Sequence, residues 1–186
     1  MKIIVLGSGT AAPRINRNMS GYLLEISAKK SQISGTNSIG NKKILFDSGP
    51  GTIRQLLKLK VNLLDINNIF YTHFHNDHIN DLGAIIWSNN YGTYRKKPLN
   101  IYGPKGFKKY FGILMNKILK PTKLIYDINV NEMRNNSIVK IPIKNDSNKK
   151  YSIKNTINKK NDYKNNTLKN SKGIFGVPKN RRIFLA

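Results

Sequence analysis

The stretch that decides the fold is YTHFHNDHIND, residues 71–81. Its His73, His75 and His78 are the three histidines of the 186-residue chain, and Asp77 lies among them. Side chains two residues apart in an extended segment fall on the same side, so His73 and His75 can bind one cation. Asp77 and His78 follow the bend and can approach a second cation beside the first. The spacing predicts a loop that gathers metal ions.

The composition limits which metals this loop can hold. The chain has no cysteine, so the ligands must be nitrogen and oxygen atoms. This donor set suits zinc, with manganese or iron as substitutes. Two such cations side by side lower the pKa of water and stabilise both the attacking and the leaving oxygen of a phosphodiester. The predicted chemistry is hydrolysis; ordinary loop histidines are the alternative, which the concentration of all three in six positions disfavours.

Hydrophobic patterning places the loop in an alternating series of strands and helices. The strand patterns, in chain order, are KIIVLGSG, GYLLEI, KILFDSGPG, NIFYT, PLNIYGPKG, KLIYDINV and SIVKIPI. The helical patterns are GTIRQLLKLKV, INDLGAIIWSNN and FKKYFGILMNKIL. The histidine loop therefore connects a strand to a helix, and the alternation predicts an α/β sandwich.

The composition changes at Lys144. Residues 144–186 are rich in Lys, Asn and Ser, and their twelve Lys and Arg against two Asp supply ten of the net charge of +24. Such a segment buries too little apolar surface to offset the entropy of ordering it. We expect one domain over residues 1–143 and a disordered or poorly ordered tail over residues 144–186, to which Tyr151, Ile153 and Ile157 can still contribute one strand.

The charge favours phosphate-rich partners, because Lys and Arg that neutralise phosphates release counterions. An A/T-rich genome would also enrich Lys, Asn and Ile, so both explanations stay open. In the tail, Tyr151 and Tyr163 are candidate stacking platforms of an RNA-binding arm. The opening apolar run IIVLG is too short for a signal peptide or a membrane span, and no other stretch approaches about 18 apolar residues. We expect a cytoplasmic protein with no membrane partner.

Four stretches resemble the metallo-β-lactamase superfamily and, within it, ribonuclease Z, which trims the 3′ end of precursor tRNA. They lie in the family's order over about residues 1–106: LGSGTAAPR, ILFDSGPGTIRQLL, IFYTHFHNDHINDLGAII and PLNIYGPKG. The resemblance implies an αββα sandwich, of which this chain contains the N-terminal βα half. It also implies a zinc-dependent endonuclease that cleaves RNA phosphodiesters.

The resemblance also implies roles for the residues of the motif. His73 and His75 would bind one zinc ion and Asp77 and His78 the other, with Asp77 also handling the proton during hydrolysis. Asp47, at a strand end, is expected to support the metal loop by accepting hydrogen bonds. A plain turn aspartate is the alternative for Asp47.

The chain departs from the family pattern after His78. A working member has a third histidine, a bridging aspartate and a final histidine in later segments. Here the residue near the place of the third histidine is Asn145, and neither Asp146 nor Asp162 lies in a recognisable turn of the bridging aspartate. Each zinc ion would have two protein ligands, where catalytic zinc usually has three.

Two further interpretations of function stay open beside the ribonuclease Z-type enzyme. The missing ligands favour a catalytically inactive, truncated remnant that binds RNA or a protein. Because other branches of the superfamily share the metal motif, a hydrolase of this fold that acts on another ester is the second alternative. The half-sheet would expose an apolar face that its second half normally covers. A homodimer or a separate C-terminal half is therefore an expected partner, beside precursor tRNA.

Overall fold

A computed structural model of the chain describes residues 1–12, 14–27, 42–121 and 123–141, and the backbone of Tyr151–Lys154. The strands are β1 (Lys2–Gly7), β2 (Gly21–Ile26), β3 (Lys42–Phe46), β4 (Ile66–Phe70), β5 (Leu99–Pro104), β6 (Ile128–Met133), β7 (Ile138–Ile141) and β8 (Tyr151–Lys154). The α-helices are α1 (Thr52–Lys58), α2 (Asn76–Ile79), α3 (Asp81–Trp87) and α4 (Phe107–Ile113). A 3-10 turn, Leu63–Asp65, leads into β4, and π-helical turns extend α3 over Ser88–Gly92 and α4 over Leu114–Leu119.

Six strands form one sheet in the order β1-β2-β3-β4-β5-β6. The pairs β1·β2 and β2·β3 are antiparallel, whereas the pairs β3·β4, β4·β5 and β5·β6 are parallel. Parallel neighbours need crossover connections, and helices supply them here. The strands β7 and β8 form a separate antiparallel ribbon. The α/β prediction is confirmed.

Helices cover one face of the sheet. Leu23, Leu45, Ile69 and Ile101 stand in register on neighbouring strands and are fully buried in the main core. The helical residues of the same core are Leu56, Leu82, Ile85, Ile86 and Phe107. These apolar helical residues recur at the spacing of one helical face, which is why the segments form amphipathic helices on the sheet.

The opposite face of the sheet carries a second row of side chains in register across five strands. The row is Val5, Tyr22, Phe46, Phe70 and Tyr102. The Phe70 ring stacks between Phe46, at 5.3 Å between centroids, and Tyr102, at 4.4 Å. At one edge Val5 remains 59% exposed, so the described residues leave part of this face open.

The predicted start of β6 is wrong. The pattern KLIYDINV predicts a strand from Lys123, whereas β6 begins at Ile128. Tyr126 turns into the core instead, where it is buried and its hydroxyl donates to the Ile86 carbonyl at 3.3 Å. Burial of the ring therefore decides the conformation before the strand starts.

The predicted tail is described only in part. The backbone of β8 pairs with β7, with Val139 opposite Ile153. The remainder of residues 144–186, with Asn145, Asp146 and Asp162, lies outside the described residues, so the expected disorder of the tail stays a prediction. No helix in the described ranges is long and apolar enough to cross a membrane.

Candidate metal centre

The histidine loop leaves the carboxyl end of β4 and enters α2 at Asn76. Its backbone is held by two neighbouring turns: the Ser48 N–H donates to the His78 carbonyl at 2.7 Å, and the Ser20 N–H to the Asp77 carbonyl at 3.1 Å. Gly49 lies directly beneath, where a Cβ atom would come within 2.0 Å of the Asp77 carbonyl oxygen. Only glycine permits this close approach of two backbones.

The structure brings the predicted ligands together. The ring centroid of His73 lies 4.6 Å from that of His75 and 4.0 Å from that of His78. Oδ2 of Asp77 lies 3.5 Å from Nε2 of His78. Two ligands of one tetrahedral cation with bonds of about 2.0–2.1 Å stand about 3.3 Å apart, so the Asp77–His78 pair fits one ion.

Within the described residues, the predicted metal ligands occur in pairs. Among the residues that the structure describes, no three His, Asp or Glu side chains are placed to hold one metal ion. The predicted assignment uses two pairs, His73 with His75 and Asp77 with His78. Their nitrogen and carboxylate donors fit a divalent cation such as zinc. The assignment of these four residues as ligands stays a prediction.

Asp47 gathers hydrogen bonds beneath the loop. Its carboxylate accepts from the Thr72 N–H at 2.9 Å, from the Thr72 hydroxyl at 3.0 and 3.1 Å, from the Ser20 hydroxyl at 3.2 Å and from His78 Nδ1 at 2.7 Å. It is 3% exposed, and its own N–H donates to the Phe70 carbonyl at 2.8 Å. These contacts occupy both carboxylate oxygens. The predicted supporting role of Asp47 is confirmed.

The surroundings of His73 favour its neutral form. Burial lowers the pKa of His73 below its ordinary value of 6.5, and repulsion from His78 and His75 lowers it further. The carboxylates of Asp47 and Asp77 oppose the shift with smaller effects. A neutral imidazole is the form that binds metal, so the cluster keeps His73 ready to act as a ligand.

Two residues of the loop, Tyr71 and Phe74, make stabilising contacts that the sequence did not predict. The Tyr71 hydroxyl lies 2.6 Å from the Ser48 hydroxyl, and burial raises the pKa of Tyr71 far above its ordinary value. The Phe74 ring, between His73 and His75, stacks on aromatic rings of α4. Phe74 left a signal, as an aromatic residue inside a histidine motif, whereas nothing in the sequence connects Tyr71 with Ser48.

A cleft of about 630 Å³ opens beside the loop. His75 and Asp77 line it together with Phe74, Met19 and Pro50. A pocket with a few polar groups against apolar side chains is the usual form of a small-ligand or substrate site. The predicted ligands thus border a space that a substrate group can enter.

Residues 38–136, which include the histidine loop and most of the sheet, match the family described as the metallo-beta-lactamase superfamily. The chain belongs to the metallo-beta-lactamase superfamily. This match covers more than half of the chain and confirms the resemblance inferred from the sequence. The matched residues include the strands β3–β6 and the helices α1–α4.

Within the superfamily, the chain is similar to several curated relatives and to a solved structure. Ribonuclease Z of Methanosarcina mazei is 31% identical over 140 residues, which are 75% of this chain and 41% of the relative. Ribonuclease Z of Staphylococcus carnosus is 38% identical over 110 residues, which are 59% of this chain and 33% of the relative. The short form of human tRNase Z superposes with a TM-score of 0.56 at 31% identity, covering 71% of this chain and 45% of that one. This superfamily member thus spans less than half the length of these relatives.

Proposed function

We propose that the chain is the metal-binding half of a hydrolase of the ribonuclease Z type, which cleaves RNA phosphodiesters at the 3′ end of tRNA precursors. One observation carries the proposal. His75 and Asp77, next to the rings of His73 and His78, border the 630 Å³ cleft at the carboxyl edge of the sheet. Enzymes of open α/β sheets place their ligand sites at this edge.

The residues of the loop have distinct roles in the proposed reaction. His73 with His75 and Asp77 with His78 would hold two zinc ions, for which manganese or iron can substitute. A bound metal pair supplies Lewis acidity toward the phosphoryl oxygens and a water of lowered pKa. Asp77, which reaches the cleft, would accept the proton of the attacking water, and Phe74 would contribute apolar contact for the substrate.

The charge of the chain supports RNA as the substrate. A net charge of +24 in 186 residues attracts phosphate backbones through counterion release. The relatives and the solved structure carry the names ribonuclease Z and tRNase Z. The chain spans 41% of the first of these relatives, and the proposed partners beside RNA are a C-terminal half and a second copy of the chain.

Zinc titration and a cleavage assay on the same samples test the proposal. The purified chain, alone and mixed with the C-terminal part of a ribonuclease Z relative, is incubated with a tRNA precursor that carries a 3′ trailer. We expect zinc-dependent cleavage at the trailer that EDTA abolishes and His75→Ala removes. The matched control is Asn80→Ala, which lines the same cleft without belonging to the predicted ligand pairs. Zinc binding without cleavage in either mixture would contradict the hydrolase.

A remnant that binds RNA without cleaving it is the second candidate. It is favoured by the finding that, in the described ranges, no third side chain joins either ligand pair. This candidate predicts RNA binding that survives EDTA and the His75→Ala substitution and weakens with salt. Cleavage of a simple phosphodiester or another ester, without cleavage of precursor tRNA, would instead indicate a hydrolase of different specificity.

A further inference from the structure

The hydroxyl of Thr72 makes contacts that the proposed ligand roles do not use. Its Oγ1 lies 2.9 Å from Nδ1 of His73. The same oxygen lies 3.1 Å from Oδ1 and 3.0 Å from Oδ2 of Asp47. Thr72 therefore links a buried carboxylate to a ring that is one of the predicted metal ligands.

The direction of these hydrogen bonds follows from the number of protons. An ionised carboxylate only accepts hydrogen bonds, and a hydroxyl has one proton to donate. The Thr72 proton therefore goes to Asp47, and Oγ1 presents its lone pairs to His73. The contact of 2.9 Å is then a hydrogen bond only if Nδ1 of His73 carries the proton.

The Nδ1 atom of His78 also carries a proton, but it bonds to Asp47 directly and not through a hydroxyl group. Its Nδ1 lies 2.7 Å from Oδ2 of Asp47, so this nitrogen donates directly to the carboxylate. In the neutral ring, a proton on Nδ1 leaves Nε2 as the nitrogen with the free lone pair, and this nitrogen lies 3.5 Å from Oδ2 of Asp77.

We propose that Thr72 is a positioning residue that fixes the tautomer of His73. Through the Thr72 hydroxyl, and directly through His78, Asp47 makes Nε2 the metal-binding atom of both histidines. A hydrogen bond to the second ring nitrogen is the general means by which proteins choose the ligating nitrogen. The consequence for metal affinity rests on the proposed function, whereas the tautomer itself is a property of the metal-free chain.

Long-range 1H–15N NMR of the 15N-labelled chain tests the proposal. The spectrum is recorded in EDTA, above the ordinary histidine pKa of about 6.5, where the two neutral tautomers differ in their cross-peak patterns. We expect His73 and His78 to be protonated on Nδ1. His75, whose ring makes no hydrogen bond within the described residues, serves as the internal comparison. Protonation of His73 on Nε2 in the unsubstituted chain would overturn the proposal.

Two substitutions of Thr72 distinguish the effect of its hydroxyl group from an effect on folding. Thr72→Val keeps the branched shape and the bond from the Thr72 N–H to Asp47 at 2.9 Å, whereas Thr72→Ser keeps the hydroxyl. We expect Thr72→Val to release His73 from the Nδ1–H tautomer without altering that of His78. Thr72→Ser should retain both tautomers. An unchanged His73 tautomer in Thr72→Val would overturn the proposal, and if that variant fails to fold, the unsubstituted chain and Thr72→Ser decide it.

Zinc affinity is the second readout. We expect Thr72→Val to bind zinc about 10-fold more weakly or worse, the range found for lost hydrogen bonds behind metal ligands, and Thr72→Ser to bind close to wild type. Equal affinity of the two variants would contradict the positioning role. A chain that shows the expected tautomers but cleaves no RNA would refute the proposed hydrolase and leave the role of Thr72 intact.

Discussion

Nδ1 of His78 lies 2.7 Å from Oδ2 of Asp47, although 31 residues separate them in the chain. The strand pair that makes this possible is β3·β4, in which Phe46 stands opposite Phe70. Asp47 and the histidine loop thus leave the sheet side by side. The carboxylate at the end of one strand supports the predicted metal ligands at the end of the next.

The first prediction concerns this carboxylate. Asp47→Asn replaces one of the two acceptor oxygens with an NH2 group, so the side chain can no longer accept all the hydrogen bonds from Ser20, Thr72 and His78. Loss of buried hydrogen bonds to a charged group should lower the free energy of unfolding by about 2–3 kcal/mol, measured by urea denaturation. Asp65→Asn is the control, because Asp65 forms an exposed pair with Lys43 and should change stability by less than about 1 kcal/mol. Equal losses in the two variants would show that the network beneath the loop does not stabilise the fold.

Two histidine substitutions should differ in the metal-free chain. His78→Ala removes the bond to Asp47 and leaves a buried acceptor, which should lower the free energy of unfolding by about 1–3 kcal/mol. His75 is exposed, so His75→Ala should leave stability within about 0.5 kcal/mol of wild type. Both variants should lose zinc affinity in a titration with a metal indicator. A His75→Ala variant that binds zinc as wild type does would remove His75 from the predicted ligands.

Gly49 tests the close approach beneath the loop. In Gly49→Ala the new Cβ would stand 2.0 Å from the Asp77 carbonyl oxygen, so the backbone must shift. We expect a loss of about 3 kcal/mol or more in urea denaturation, together with weaker zinc binding. Gly112→Ala in helix α4 is the matched control, because the new Cβ would meet no atom within 4 Å. Alanine is also more favourable than glycine in a helix by about 1 kcal/mol. Similar stability of the two variants would contradict the tight contact between Gly49 and Asp77.

Asp81 should give the chain a characteristic pH dependence. Burial raises the pKa of Asp81 above its ordinary value of 3.8, and bonds from the N–H groups of Ile53, Gly51 and Thr52 oppose the shift. The folded chain then holds this proton more tightly than the unfolded chain, so its contribution to stability is present below the unfolded pKa and is lost as pH rises through the folded pKa. Asp81→Asn keeps an acceptor oxygen and removes this loss.

Unfolding in urea across the acidic to neutral range measures this effect. The difference in free energy of unfolding between Asp81→Asn and wild type should move in favour of the variant as pH rises from below about 4 to neutrality. Asp81→Ala, which has no acceptor for the first turn of α1, should be less stable than Asp81→Asn by about 1 kcal/mol at neutral pH. A difference that is flat with pH would show that burial does not penalise the charge of Asp81.

Several features of the fold and the centre were accessible from the sequence. Apolar residues such as Leu82, Ile85 and Ile86 recur at helical spacing, and β-branched runs such as IIVLG end at glycine, so most strands and helices were predicted at their observed places. The histidine loop was predicted because its donors are neighbours in the chain. The sequence predicts the start of β6 wrongly, because Tyr126 packs in the core and bonds to the carbonyl of Ile86, which is distant in the chain.

The sequence alone therefore determined the order of the elements, the family and the group of donors in residues 73–78, all of which depend on local spacing. The tertiary structure decided which atoms support those donors. Asp47 bonds to Thr72 and His78, and Gly49 contacts Asp77, because parallel pairing of β3 with β4 brings two strand ends together. Hydrogen bonds and close packing depend on distance in space, and no pattern along the chain encodes that distance directly.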